Sequence, residues 1–133
     1  GEVSASGKRY NGRYPYQYGT GYANSRLLNT HYLPTPVVIT IYGPCANPAI
    51  FISGIKYGVE ASATARERIV IDQLERKIYK VQTNGGRQNL FGSRWKDDDP
   101  YTPVPIGESQ VLSSGEFAFE LTLCKQRSEP KWI

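Results

Sequence analysis

In the stretch Glu116-Phe117-Ala118-Phe119-Glu120-Leu121-Thr122-Leu123-Cys124, a large apolar residue stands at every second position. Side chains of an extended chain point alternately to its two faces, so this spacing gives one apolar face and one mostly polar face. The pattern predicts a half-buried β-strand. Its phase turns Phe117, Phe119, Leu121 and Leu123 inward and sets Cys124 with Thr122 and Glu120 on the polar side. Such a face needs a second layer to cover it, and the rest of the chain offers strands for that purpose.

From Val37 onward the strand signals recur. Val37-Val38-Ile39-Thr40-Ile41-Tyr42 is rich in β-branched residues and stops at Gly43-Pro44. Pro48–Ile52 and Ile55–Val59 flank Ser53-Gly54, a hairpin signal. Arg68–Asp72 and Lys77–Gln82 flank a turn over Gln73–Arg76, and Asn84-Gly85-Gly86 closes the second of them with residues that accept positive φ. Residues 83–100 read as a long loop or a short helix with the polar tip Asp97-Asp98-Asp99-Pro100. Tyr101–Val104 reads as a short strand limited by Pro103 and Pro105, and Ile106-Gly107 as a turn into Glu108–Ser113, where Ser109, Val111 and Ser113 share a face. Glu60–Arg68 contains helix formers without an apolar stripe and suits a strand end plus loop. Seven to nine strands at roughly 8–12-residue spacing predict an all-β antiparallel sandwich or barrel.

Residues 1–36 differ. Six tyrosines, at 10, 14, 16, 18, 22 and 32, lie among Gly, Asn, Ser and Pro. Pro15 keeps Tyr14 out of the helical region, so the piece around Tyr14, Tyr16 and Tyr18 is extended. Residues 1–33 are expected to be an irregular Tyr-rich arm or linker, with a short strand around Leu27–Tyr32, and residues 34–133 the sandwich. The tyrosines either pack over a neighbouring surface of the same chain or dock on another subunit, where Tyr is enriched. Methionine is absent, and the expectation is a piece cut from a longer protein.

At 133 residues the chain fits one domain. A domain of this size buries roughly 65–70% of its unfolded surface without staples. No run approaches the ~18 apolar residues of a membrane span, and the first residues lack the charged-then-apolar pattern of a signal peptide. The net charge of +4 is spread along the chain, with one loose group at Lys8, Arg9 and Arg13 and another at Arg66, Arg68, Arg76, Lys77 and Lys80. This reads as a solvated basic surface, without the concentrated stripe or motif of a nucleic-acid binder. Cys45 and Cys124 do not make a disulfide framework; two free thiols are expected, the alternative being one disulfide, which needs Cα atoms within about 7 Å.

Chemistry-bearing patterns are sparse. His31 stands alone, whereas metal sites need three or four convergent ligands and Ser-His or Cys-His catalysis would have to run through this one imidazole. Asp97, Asp98 and Asp99 offer oxygen ligands without the spacing of a calcium loop and read as a solvated tip. The glycines mark turns and lack phosphate-loop spacing. No cofactor, metal or catalytic residue is expected. Trp95, beside Arg94 and six positions before Tyr101, is the candidate for a sugar or partner contact, against the alternative that it folds back on the sandwich edge.

The order of motifs resembles a known family. Tyr14-Pro15-Tyr16-Gln17-Tyr18-Gly19-Thr20-Gly21-Tyr22-Ala23 precedes Ile39-Thr40-Ile41-Tyr42-Gly43-Pro44-Cys45-Ala46-Asn47-Pro48. Ile69–Asp72, Asn89-Leu90-Phe91, Ile106-Gly107 and the closing Leu121–Trp132, with its Arg127-Ser128-Glu129-Pro130-Lys131-Trp132, follow in turn. Over roughly residues 14–132 this is similar to the C-terminal domain of distal-tail proteins of long-tailed phages and prophages of Gram-positive bacteria. The resemblance implies a galectin-like or jelly-roll sandwich and a non-enzymatic role in a virion tail made in the host cytoplasm. It implies partners among other tail proteins, through a hexameric ring built by an N-terminal domain not contained here. Some relatives bind host sugars, so a host surface glycan is the alternative partner, with the Trp95, Asp97–Asp99 and Tyr101 loop as its candidate site. Neither nucleic acid nor membrane is implied.

Overall fold

A computed structural model of the protein describes residues 10–18, 25–95 and 98–126. Among these residues twelve strands run in chain order: β1 (Tyr10–Tyr18), β2 (Ser25–Asn29), β3 (Val37–Tyr42), β4 (Cys45–Ala46), β5 (Ala49–Ile52), β6 (Ile55–Gly58), β7 (Ser62–Ala63), β8 (Arg68–Asp72), β9 (Lys77–Val81), β10 (Arg87–Asn89), β11 (Gly107–Ser113) and β12 (Phe119–Gln126). One turn of 3-10 helix, Phe91–Ser93, interrupts them, and among the described residues there is no α-helix. The strands form a six-stranded sheet in the order β1-β12-β3-β8-β9-β10, a four-stranded sheet β2-β11-β5-β6 and a small β4-β7 pair. Every pairing is antiparallel.

The two larger sheets bury their apolar faces in one core. Val37, Ile39, Ile41, Ile69, Ile71, Phe119, Leu121 and Leu123 come from the first sheet, and Leu27, Ile50, Ile52, Tyr57 and Val111 from the second. The all-β sandwich expected from the alternation is therefore present, and the inward phase of Phe117, Phe119, Leu121 and Leu123 holds. Burying each such side chain contributes about 1.5–3 kcal/mol before entropy is counted. The hairpin at Ser53-Gly54 also holds: both residues have positive φ, 53° and 82°, as a two-residue turn matched to strand twist requires.

Several expectations need correction. The last strand begins at Phe119 rather than Glu116, because its ladder partners begin at Ile41 and Tyr18. Cys124 is fully buried instead of lying on a polar face, and its backbone N–H donates to the Pro36 carbonyl. The stretch read as a long loop or a short helix over residues 83–100 holds a strand as well: the Asn84–Gly86 turn returns the chain as β10 before the short 3-10 helix. Of the N-terminal 33 residues, 10–18 and 25–29 are strands rather than irregular arm, while 30–33 have no regular structure. Residues 10–18 form β1 along β12, and Ser25–Asn29 forms β2 along β11. Proline has no N–H to give a ladder and is confined to sheet edges; β1, which carries Pro15, is an edge. The closing motif at 127–132 lies outside the described residues.

Candidate functional site

The segment from Leu90 to Val104 spans one side of the sandwich and carries most of the chemistry-bearing residues. It starts at the edge of the six-stranded sheet, where the Leu90 N–H donates to the Ile78 carbonyl at 2.8 Å. Arg94 then bridges to Val59, just past β6 at the edge of the other sheet, and the Glu60 N–H donates to the Ser93 carbonyl at 2.7 Å. The return leg is clamped from beneath. Gln73 is buried; its Nε2 donates to the carbonyls of Pro100 (3.0 Å) and Thr102 (2.8 Å), while its Oε1 accepts from the Val37 N–H (2.9 Å). The Tyr57 hydroxyl also donates to the Thr102 carbonyl, at 2.7 Å, and burial pushes its pKa well up. At the far end Val104 pairs with Thr35, and the Asn29 amide donates to the carbonyls of Val104 and Pro105.

This path brings Trp95, Asp98, Asp99 and Tyr101 to one side of the molecule. Trp95 is half-buried, with the Lys56 ammonium 3.7 Å from its ring centre and its Nε1 buried without a hydrogen-bond partner. Lys56 lies 3.9 Å from an Asp98 carboxylate oxygen. Asp99 closes a local turn by accepting from the Tyr101 N–H at 2.9 Å, as Asx residues do. Asp97 lies outside the described residues. Tyr14, Tyr16 and Tyr18 stand on β1 at the opposite edge of the six-stranded sheet, in register with Leu123, Leu121 and Phe119. They belong to a different region from Trp95.

Sequence reasoning passed over the partners of these rings. Phe91 and Tyr101 stack with centroids 6.2 Å apart and planes 11° from parallel. The Arg94 guanidinium lies 4.0 Å from the Phe91 ring centre and that of Arg76 4.3 Å from the Tyr101 centre. Arg87 repeats the arrangement over Tyr79, at 4.3 Å. Each such cation–π contact contributes about 0.5–1 kcal/mol at an exposed site. The Tyr101 hydroxyl is pushed up by burial, while Arg76 and Arg94 pull it down. The signal in the sequence was Arg and aromatic residues interleaved from Arg76 to Tyr101, but only the β8–β9 and β9–β10 turns fold that spread into a cluster.

The remaining candidates stay apart from this cluster. His31 packs beside Tyr32 with ring centres 4.4 Å apart, and its Nε2 is buried without a hydrogen-bond partner. Cys45 and Cys124 are free thiols, and burial raises the pKa of Cys45. Among the described residues no three His, Cys, Asp or Glu side chains converge as a metal site would require, and no helix is long and apolar enough to cross a membrane.

No family model matches the sequence, and no curated protein is detectably similar to it. Among solved structures the chain is similar in fold to the SPP1 Dit (gp 19.1) protein, described as a paradigm of the hub adsorption apparatus in phages infecting Gram-positive bacteria. The TM-score is 0.64 at 11% sequence identity over 85% of this chain. The match spans 47% of the SPP1 protein, so this chain corresponds to about half its length.

Proposed function

We propose that this chain is a structural, non-enzymatic domain of a phage or prophage tail tip, of the distal-tail type, with a galectin-like sandwich that serves assembly or host attachment. The observation that carries the reading is the fold shared with a phage hub protein over 85% of the chain. The order of Tyr-Pro-Tyr, Ile-Tyr-Gly-Pro and Asn-Leu-Phe motifs supports it independently. The chemistry of the candidate residues is consistent with holding a shape: Asp98 pairs with Lys56, Asp99 fixes a turn, and Gln73 and Tyr57 fasten the segment between them. In this reading the partners are other tail proteins, reached through a hexameric ring formed by a preceding domain, and the protein resides in the virion tail after synthesis in the bacterial cytoplasm. The edge strand β1, with Tyr14, Tyr16 and Tyr18, is the proposed partner contact, because a sheet edge presents backbone groups to a neighbouring chain.

Gold-labelled antibody against the chain, applied to virions from a culture that produces it, tests this reading. Label at the distal end of the tail is expected. A chain that stays in the supernatant when virions are pelleted refutes it.

Attachment to a host glycan is the second reading. It is supported by the gathering of Phe91, Trp95 and Tyr101 in one segment, with Phe91 40% exposed. A glycan array with the purified chain decides it, since hits that vanish in Trp95→Ala favour it and a silent array disfavours it.

A further inference from the structure

At β9 and β10 lies an open depression of about 540 Å³, lined by three cationic side chains and two aromatic rings together with Ile78 and Asn89. Ile78 points into the core, so the alternation of the strand turns Tyr79 outward. The ladder sets Asn89 opposite Tyr79, and Arg87 shares the face of Asn89 two positions away. Arg76, held at positive φ in the preceding turn, together with Lys77 and Phe91, completes the rim. No carboxylate lines the depression, and among the described residues none forms an ion pair with Arg76, Lys77 or Arg87. The nearest acids are Asp72, across the ladder from Lys77 and accepting from the Glu75 N–H, and Asp99, which accepts from the Tyr101 N–H; neither lines the depression.

Two of these cations rest against aromatic rings, and among the described residues neither Arg76 nor Arg87 donates a side-chain hydrogen bond. A guanidinium lying flat on an aromatic ring keeps its in-plane N–H groups directed away from the ring face, in the fork that fits an oxyanion. The guanidinium carbons of Arg87 and Arg76 each lie 4.3 Å from a ring centre, that of Tyr79 and that of Tyr101 respectively. We infer that this depression is a binding site for a phosphoryl group, free or carried on a polyol or sugar. A single carboxylate is satisfied by one fork, whereas a phosphoryl group has enough oxygens to engage both arginines and the Lys77 ammonium. The inference goes beyond the tail-tip reading and does not depend on it.

Arginine side-chain NMR on the 133-residue chain, titrated with inorganic phosphate at constant ionic strength, is the test. The Nε–H signals of Arg76 and Arg87 should shift along a saturable curve that chloride does not reproduce. The double variant Arg76→Gln/Arg87→Gln should weaken binding by about tenfold or more. Arg87→Lys, which keeps the charge and loses the fork, should also weaken it, and serves if the double variant does not fold. Tighter binding of glycerol 3-phosphate than of phosphate identifies a polyol-borne group as the ligand; equal binding identifies the anion alone, and both outcomes support the site. Identical curves for phosphate and chloride, or unchanged binding in a folded double variant and in Arg87→Lys, overturn the inference. Virion labelling and this titration can fail separately, so neither result decides the other.

Discussion

Gln73 is the residue through which the core fixes the candidate site, and Gln73→Met isolates its contribution. Methionine matches glutamine closely in length and volume, so the substitution opens little cavity and removes mainly hydrogen bonds. Three are lost: from the Val37 N–H and to the carbonyls of Pro100 and Thr102. At a net contribution of about 0.5–1.5 kcal/mol each, their loss costs about 1.5–4.5 kcal/mol. Thr102 keeps the Tyr57 hydroxyl as donor, which limits the penalty there. Val37 is fully buried, so its N–H is left without either protein or water, and this holds the cost away from the lower bound. The expected destabilisation is about 2–4 kcal/mol, or a fall of roughly 8–16 °C in melting temperature for a domain of this size. Urea unfolding followed by Trp fluorescence measures the first and calorimetry the second. Amide exchange should speed up at Val37 more than at Ile39, whose pairings in the sheet are untouched. A loss below about 1 kcal/mol with Val37 exchange unchanged would refute the claim that Gln73 clamps the 98–104 segment.

Three other outcomes follow from the same structure. Phe119→Ala, at a position 2% exposed, should cost about 3–5 kcal/mol in denaturant unfolding, and a value under about 1 kcal/mol would mean that its side chain is not in the core. At Gly43 an added Cβ would overlap the Thr64 carbonyl, so Gly43→Ala should lose at least about 2 kcal/mol, whereas Gly92, with open space around it, should accept alanine within about 0.5 kcal/mol. Glu67 accepts from the Thr64 N–H and lies 3.7 Å from Lys80, which holds its carboxyl below the ordinary glutamate value. A depressed folded pKa gives stability that is present above the ordinary value of about 4.3 and is lost as pH falls through the folded one. Melting temperature measured from neutral to acid pH should therefore fall less steeply in Glu67→Gln than in the parent chain, and superimposable acid limbs would exclude this role.

The sandwich was legible because its determinants are local. The alternation at Phe119–Leu123 and Ile39–Ile41, and the Ser53-Gly54 turn, each state a geometry within a few residues. The N-terminal strands were harder to see. β1 contains Pro15 and three glycine, asparagine or arginine positions before it, and its ladder exists only because β12, more than 100 residues away, presents a matching edge. Cys124 shows the same limit, since its position in the strand alternation implied exposure and its surroundings bury it. The candidate site was half visible: Trp95, Asp98, Asp99 and Tyr101 are close in sequence and remain close in space, while Tyr14, Tyr16 and Tyr18 belong to the opposite edge.

That strands form, which of their faces are apolar and where several of the tight turns fall can all be read from local residue patterns. Those follow from side-chain alternation and from the φ values that glycine, serine and asparagine tolerate. Tertiary structure decided which strand lies beside which, and with it the pairing of Arg76, Arg87 and Arg94 with Tyr101, Tyr79 and Phe91. A guanidinium and a ring attract only over a few ångströms, so residues scattered between positions 76 and 101 acquire a common chemistry only after backbone ladders have brought them together.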